Sequence, residues 1–154
     1  MFKKALYVFF CSLLPIIELR GAIPLGAGLH LPWYLNYAIC VIGNLLPVPF
    51  ILLFIRAILR WMKGTRAFSK IALWLEAKAD KHAGKVQRYQ SLGLFLFVAL
   101  PIPGTGAWTG SLIAALFGIR LKYSIPSITA GVFTAGVIMT LASYALKGVL
   151  GFLL

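Results

Sequence analysis

The stretch that decides the fold is Leu14-Pro15-Ile16-Ile17-Glu18-Leu19-Arg20-Gly21-Ala22-Ile23-Pro24-Leu25-Gly26-Ala27-Gly28. It lies in an otherwise apolar segment, residues 5–29. Proline removes a helical hydrogen bond and glycine weakens a helix, so this segment cannot be one uninterrupted helix. Inside a bilayer such a break persists only where protein or a water-filled cavity satisfies the freed backbone groups. The stretch therefore predicts a broken helical hairpin with Glu18 and Arg20 near its turn.

The second half of the chain repeats the pattern. Residues 92–119 are uncharged and broken by Pro101-Ile102-Pro103-Gly104-Thr105-Gly106-Ala107-Trp108-Thr109-Gly110. An offset of 86 residues superimposes Leu14-Pro15-Ile16 on Leu100-Pro101-Ile102, and Leu35, Tyr37 and Ile39 on Leu121, Tyr123 and Ile125. After each broken segment comes a cleaner apolar run, residues 34–55 and 123–147, long enough to cross a bilayer as a helix. Interrupted segments at matching places in two halves point to a transporter's binding site.

Composition agrees with a membrane setting. Of 154 residues, 61% are hydrophobic, against about 45–50% in soluble domains. The basic start at Lys3 and Lys4 resembles that of a signal peptide, but Pro15, Glu18 and Arg20 stand where a cleavage site belongs. The segment is therefore read as part of the working protein. The net charge of +12 is concentrated: nine of fifteen Lys and Arg residues lie between Arg56 and Arg88. That stretch, residues 56–90, reads as a cytoplasmic loop facing anionic lipid. Phe68, Ile71, Ala72, Leu75, Ala79, Ala83 and Val86 recur at helical spacing there, which predicts an interfacial amphipathic helix. No groove-reading or base-stacking motif accompanies the charge, so nucleic acid is not an expected partner.

The expected fold is an all-α integral membrane protein in one domain, placed in the cell membrane with several passes. It consists of two inverted repeats, each a broken re-entrant hairpin plus a transmembrane helix, with residues 148–154 as a tail. With the basic loop inside, the helix of residues 34–55 runs inward. A hairpin at 92–119 then keeps Arg120 and Lys122 inside as well. Symmetry puts the N-terminus outside; Lys3 and Lys4 vote the other way. Hairpins that need backbone cover make a homodimer an expectation.

Glu18 is the only acid outside the basic loop, since Glu76 and Asp80 lie within it. An intramembrane carboxylate costs at least about 2.5–3.5 kcal/mol and usually faces a cavity or a partner. A carboxyl that titrates near neutral pH can load and release a proton. Arg20 can hold a phosphate through two parallel N–H groups. The alternative is that Glu18 and Arg20 pair with each other and hold the hairpin. At the second tip, Gly104 and Gly106 permit close approach. Thr105 and Thr109 are candidate caps for a helix whose N-terminal amides attract anions. Asn36 and Asn44, near one helical face, read as interhelical glue. Cys11 and Cys40 read as small buried hydrophobes. No residue set suits a metal, a cofactor or covalent catalysis, and an enzyme is not expected.

With residues 15–24 and Pro101 to Trp108 in view, the sequence closely resembles the small multidrug export proteins of prokaryotes. That family in turn resembles the DedA superfamily. The resemblance implies two re-entrant hairpins facing each other across the membrane. It also implies movement of lipids such as polyprenyl phosphates, or drug resistance driven by the proton-motive force. Glu18 matches the acid of the first DedA hairpin. The DedA arginines of the second hairpin have no counterpart between residues 92 and 119, so Arg20 or Arg120 would stand in for them. The substrate and ion site expected on these grounds comprises Glu18, Arg20, Gly21, Pro24, Pro101, Pro103, Gly104, Thr105, Gly106, Trp108, Thr109 and Arg120. Its ligand is an amphiphile such as a lipid phosphate, drawn from the surrounding membrane lipids. Two alternatives stay open: export of cationic drugs, and a scaffold that binds partners through the basic loop.

Overall fold

The computed structural model describes residues 1–63, 86–102 and 104–153. Every regular element among them is helical. The amphipathic helix expected on Phe68 to Val86 lies outside the described residues except for Val86 itself, and Pro103 lies outside them too.

The first segment folds as two short helices, α1 (Phe2–Leu13) and α2 (Glu18–Gly28). Leu14 precedes Pro15, which disfavours the helical region for it; Leu14 accordingly turns extended at ψ 138° and ends α1. Pro24 sits inside α2 and leaves the Arg20 carbonyl without its usual intrahelical donor. Helix α2 closes on a left-handed residue, His30 at φ 61°. The His30 and Leu31 amides bond back to the Ala27 and Gly26 carbonyls. This is the Schellman arrangement.

The next run is α3 (Trp33–Leu45) followed by α4 (Pro47–Lys63). The expected clean helix of residues 34–55 is thus interrupted at Leu46, just before Pro47, which takes the first position of α4, where proline is tolerated. Leu46 keeps helical dihedrals, so the two pieces form a nearly continuous rod. The helix also runs on through Lys63, taking over the start of the stretch expected to be loop.

The second half contains α5 (Val86–Ala99), α6 (Ala107–Leu116) and α7 (Leu121–Leu153). Helix α5 begins ahead of the expected boundary at 92, and α7 continues through the expected tail. Two stretches are long and apolar enough to cross a membrane, Trp33–Ile58 and Leu121–Leu146, each of 26 residues. At 1.5 Å per residue each is about 39 Å long, more than the roughly 30 Å hydrocarbon core. Helices α1, α2, α5 and α6 have 12, 11, 14 and 10 residues. At about 15–21 Å, each covers roughly half to two thirds of that thickness.

The two halves share local details. Glu18 (φ 48°) and Gly104 (φ 86°) are both left-handed at the end of a turn. Helix α6 closes as α2 does: Gly118 is left-handed at φ 66°, and the Gly118 and Ile119 amides bond to the Ala115 and Ala114 carbonyls. In each half a glycine of the long helix presses on the first helix. A methyl on Gly43 would lie 3.0 Å from the Phe9 carbonyl oxygen; one on Gly131 would lie 3.0 Å from that of Phe95.

Helix pairing follows the same scheme. In the first half α1 packs on α2 and α3, and α2 on α3; in the second α5 packs on α6 and α7, and α6 on α7. Between halves, α2 meets α7 and α6 meets α4. The core is built of Val8, Leu19, Ile23, Leu52, Val98, Ile128 and Val132, with Ala22, Ala107, Ala114 and Ala115 where backbones come close. Ile16, Phe50 and Phe54 stay largely exposed. Such an inside-out surface suits lipid, which rewards close packing of small residues over apolar burial.

Candidate functional site

The two broken segments meet at their turns, and Glu18 and Arg20 make the joint. Glu18 is buried, and its side chain is held by two partners. Oε2 accepts from Arg20 Nη1 at 3.0 Å. Oε1 accepts from the Trp108 backbone amide at 3.2 Å. Trp108 is the second residue of α6, so its N–H has no partner within the helix. The carboxylate therefore caps α6 from another part of the chain. A negative group at a helix N-terminus also complements the macrodipole.

Arg20 does the converse at α5. Its Nη2 lies 2.9 Å from the Val98 carbonyl oxygen and 2.6 Å from that of Leu100. These acceptors are at the C-terminal end of α5, where carbonyls lack intrahelical partners and a cation is favoured. The same nitrogen is 3.2 Å from the Thr105 carbonyl oxygen and 3.1 Å from Thr105 Oγ1. Two N–H groups are thus shared among four oxygens. Arg20 Nε, in contrast, is buried and donates to nothing among the described residues.

Trp108 returns the contact: its indole Nε1 donates to the Leu13 carbonyl at 3.1 Å, at the end of α1. Three of the four helix ends at this joint are thereby satisfied from the opposite half. Removing one member of such a buried pair typically costs about 3–5 kcal/mol, because the other charge is left unpaired.

The glycines explain how the groups come so close. A methyl on Gly106 would sit 1.4 Å from Glu18 Oε2. One on Gly21 would sit 2.7 Å from Ile17 Cγ2.

Of the residues expected in the site, Glu18, Arg20, Thr105, Gly106 and Trp108 come together. Gly21 supports the turn. Pro101 and Gly104 are exposed at the second tip, and Pro24 is exposed on α2. Thr109 is half-buried on α6, beyond these contacts. The expectation that Thr105 or Thr109 caps α6 is not met: Thr105 Oγ1 faces the Leu100 and Ile102 carbonyls instead, at 3.0 and 2.9 Å. Glu18 occupies the capping place. Arg120 does not join this group. It is exposed at the start of α7, at the opposite end of α6 from Trp108.

The backbone carbonyls of Leu13, Val98 and Leu100 were not anticipated as site groups. The prolines that follow Leu14 and Leu100 were the available signal, since a helix stopped by proline exposes its last carbonyls. Two further cations cap helix ends away from the joint. Lys4 Nζ donates to the Leu29 carbonyl at 3.1 Å, and Arg56 Nη2 donates to the Ile119 carbonyl. Asn36 behaves as glue: its Nδ2 donates to the Ile23 carbonyl at 2.8 Å and lies 3.3 Å from the Tyr144 hydroxyl, which itself donates to the Leu31 carbonyl at 2.6 Å.

Beside the joint, Phe50, Ile51, Leu53, Phe54 and Ala57 of α4 and Trp108 of α6 line an open apolar groove of about 570 Å³. No group of three or more His, Cys, Asp or Glu side chains among the described residues is arranged to hold a metal.

No curated protein and no solved structure matches the chain. The profile of the family described as "Putative small multi-drug export protein" matches residues 18–138, a span that begins at Glu18, just after the first turn, and takes in Arg20 and the second turn. With that match and two helices of membrane-crossing length, the chain is a membrane protein and belongs to the small multi-drug export family.

Proposed function

We propose that the protein is a proton-coupled transporter of an amphiphile with an anionic, phosphate-like headgroup, embedded as a multi-pass protein in the cell membrane. The two halves act as inverted repeats whose hairpins re-enter from opposite faces and touch at the middle. Contacts at both ends support this reading. Tyr144, late in α7, reaches Leu31 at one end of the bundle, while Arg56 reaches Ile119 at the other. Each short helix covers only part of a bilayer, as a re-entrant limb does.

The observation that carries the substrate's sign is the state of Arg20. Its buried Nε donates to nothing among the described residues, while both oxygens of Glu18 are engaged. A proton on Glu18 neutralises the carboxylate and weakens its hold on Arg20 and on the Trp108 amide. An incoming phosphate oxygen then takes those donors, and the Nε besides. Loss of the proton restores the internal pair and expels the anion. The groove beside Trp108 holds the apolar body meanwhile.

The family's description favours a second reading, export of a cationic drug. A cation would have to displace Arg20 from Glu18. The test is transport into proteoliposomes under an imposed pH gradient, with a polyprenyl phosphate and a lipophilic cation as alternative substrates. Glu18→Gln keeps an acceptor for Trp108 but cannot titrate. It should insert, fold and lose gradient-driven movement of the phosphate. Unimpaired gradient-driven transport by this variant would exclude Glu18 as the coupling group.

A further inference from the structure

An apolar groove along α4 borders the joint. Phe50, Leu53, Phe54 and Ala57 recur at helical spacing on the exposed face of α4, and Trp108 lines the same groove. Arg56 reaches the Ile119 carbonyl, just past the C-terminal end of α6, so Trp108 in the first turn of α6 lies toward the Phe50 end. Continuing the same face, Arg60 follows Ala57 and is exposed. Arg56, one turn before Arg60, has a buried Nε that donates to nothing among the described residues. Two like charges at this spacing repel each other. No acid lies on α4, and Glu18 is already committed to Arg20.

From Phe50 to Arg60 the helix rises about 15 Å, half of the roughly 30 Å hydrocarbon core. A hydrocarbon chain lying along α4 with its headgroup at Arg60 would therefore end beside Trp108. We propose that this groove is a docking site for one anionic lipid of the leaflet on the Arg60 side, with its phosphate on Arg60 and Arg56 and its chain against Phe50, Leu53 and Phe54. The site rests on the membrane reading above but not on transport. It would deliver an amphiphile's tail to the joint while the headgroup is still at the surface.

Binding is testable without any transport assay. A variant with Trp33, Trp61 and Trp74 replaced by Phe leaves Trp108 as the sole tryptophan. It is reconstituted into vesicles that contain chain-brominated phosphatidylglycerol or, separately, chain-brominated phosphatidylcholine, at equal mole fraction. Bromine quenches tryptophan on contact. The anionic lipid should show a roughly fivefold preference for the site for each cation engaged. Arg60→Gln, on an exposed position, should reduce that preference by about the same factor with the fold unchanged. Equal quenching by both lipids overturns the site. So does weak quenching by both that rises when the protein is diluted in the membrane, because a second copy would then be covering the groove. A preference untouched by Arg60→Gln also overturns it, since the charge would be read elsewhere. None of these results bears on the coupling role of Glu18, which the proteoliposome experiment decides.

Discussion

Gly106 leaves the space that Glu18 fills: a methyl group at Gly106 would lie 1.4 Å from one carboxylate oxygen and 2.2 Å from the carboxyl carbon. The acid of one hairpin and the glycine of the other are therefore a single steric unit. Gly106→Ala should push the carboxylate off the Trp108 amide and cost about 1–3 kcal/mol, as overpacking of a tight site does. The check is the melting temperature in detergent, alongside Gly28→Ala. Nothing lies within 4 Å of the position a methyl would take at Gly28. That control should be neutral or slightly stabilising. Equal melting temperatures for the two variants would mean that the joint is looser than described.

The matched left-handed residues at the ends of α2 and α6 make a second prediction. His30 and Gly118 occupy the same place in their Schellman motifs, at φ 61° and 66°. A side chain costs about 1–2 kcal/mol there. His30→Gly should stabilise the protein by about 1 kcal/mol, and Gly118→Ala should destabilise it by a similar amount. Thermal unfolding of both variants measures the pair. A loss of stability in His30→Gly would show that the imidazole makes a contact worth more than the backbone strain.

These positions also show what was legible in the sequence. The offset of 86 residues joins Pro15 to Pro101 and Glu18 to Gly104, and the latter two share a left-handed backbone. By the end of the second helix the equivalence has slipped by two residues, to His30 with Gly118 and Gly43 with Gly131. The sequence pairing of Tyr37 with Tyr123 is consequently not the structural one. Helix α6 starts later after its turn than α2 does, and no side-chain pattern announces that. The breaks, the acid and the arginine were readable because proline, glycine and buried charge carry strong local costs. The partners of Arg20 were not readable, because they are backbone carbonyls that any residue could supply. The expectation that Thr105 or Thr109 caps α6 failed for a related reason. An N-cap is ordinarily local, and here a carboxylate from the other half displaces the local candidates.

The orientation of the bundle gives a third prediction. His30 and Lys122 belong to opposite ends of it: His30 follows α2 beside Leu31 and Tyr144, and Lys122 follows Ile119 beside Arg56. With the basic stretch inside, cysteines placed singly at positions 30 and 122, in a background lacking Cys11 and Cys40, should differ in labelling by an impermeant thiol reagent. Position 30 should label from outside and position 122 should not. Labelling of both from outside would mean that α5 and α6 together cross the membrane and do not turn back within it.

The last prediction concerns the shape of Arg20 as well as its charge. The guanidinium pairs with Glu18 through one nitrogen while a second reaches the end of α5, at 3.0 Å from the carboxylate and 2.9 Å from the Val98 carbonyl. A lysine ammonium is a compact point charge and cannot span both sets of acceptors in that planar arrangement. Arg20→Lys should therefore already impair movement of a lipid phosphate, and Arg20→Ala should be worse because Glu18 is then buried unpaired. A cation exporter predicts the opposite order: the positive charge at Arg20 repels the substrate, so its removal harms least. A scaffold working through the basic stretch predicts little change in either variant. Each variant needs a folding control, which size-exclusion profiles and melting temperatures provide. A well-folded Arg20→Ala protein that still moved polyprenyl phosphate at the normal rate would remove the guanidinium from the anion site and leave the cation reading ahead.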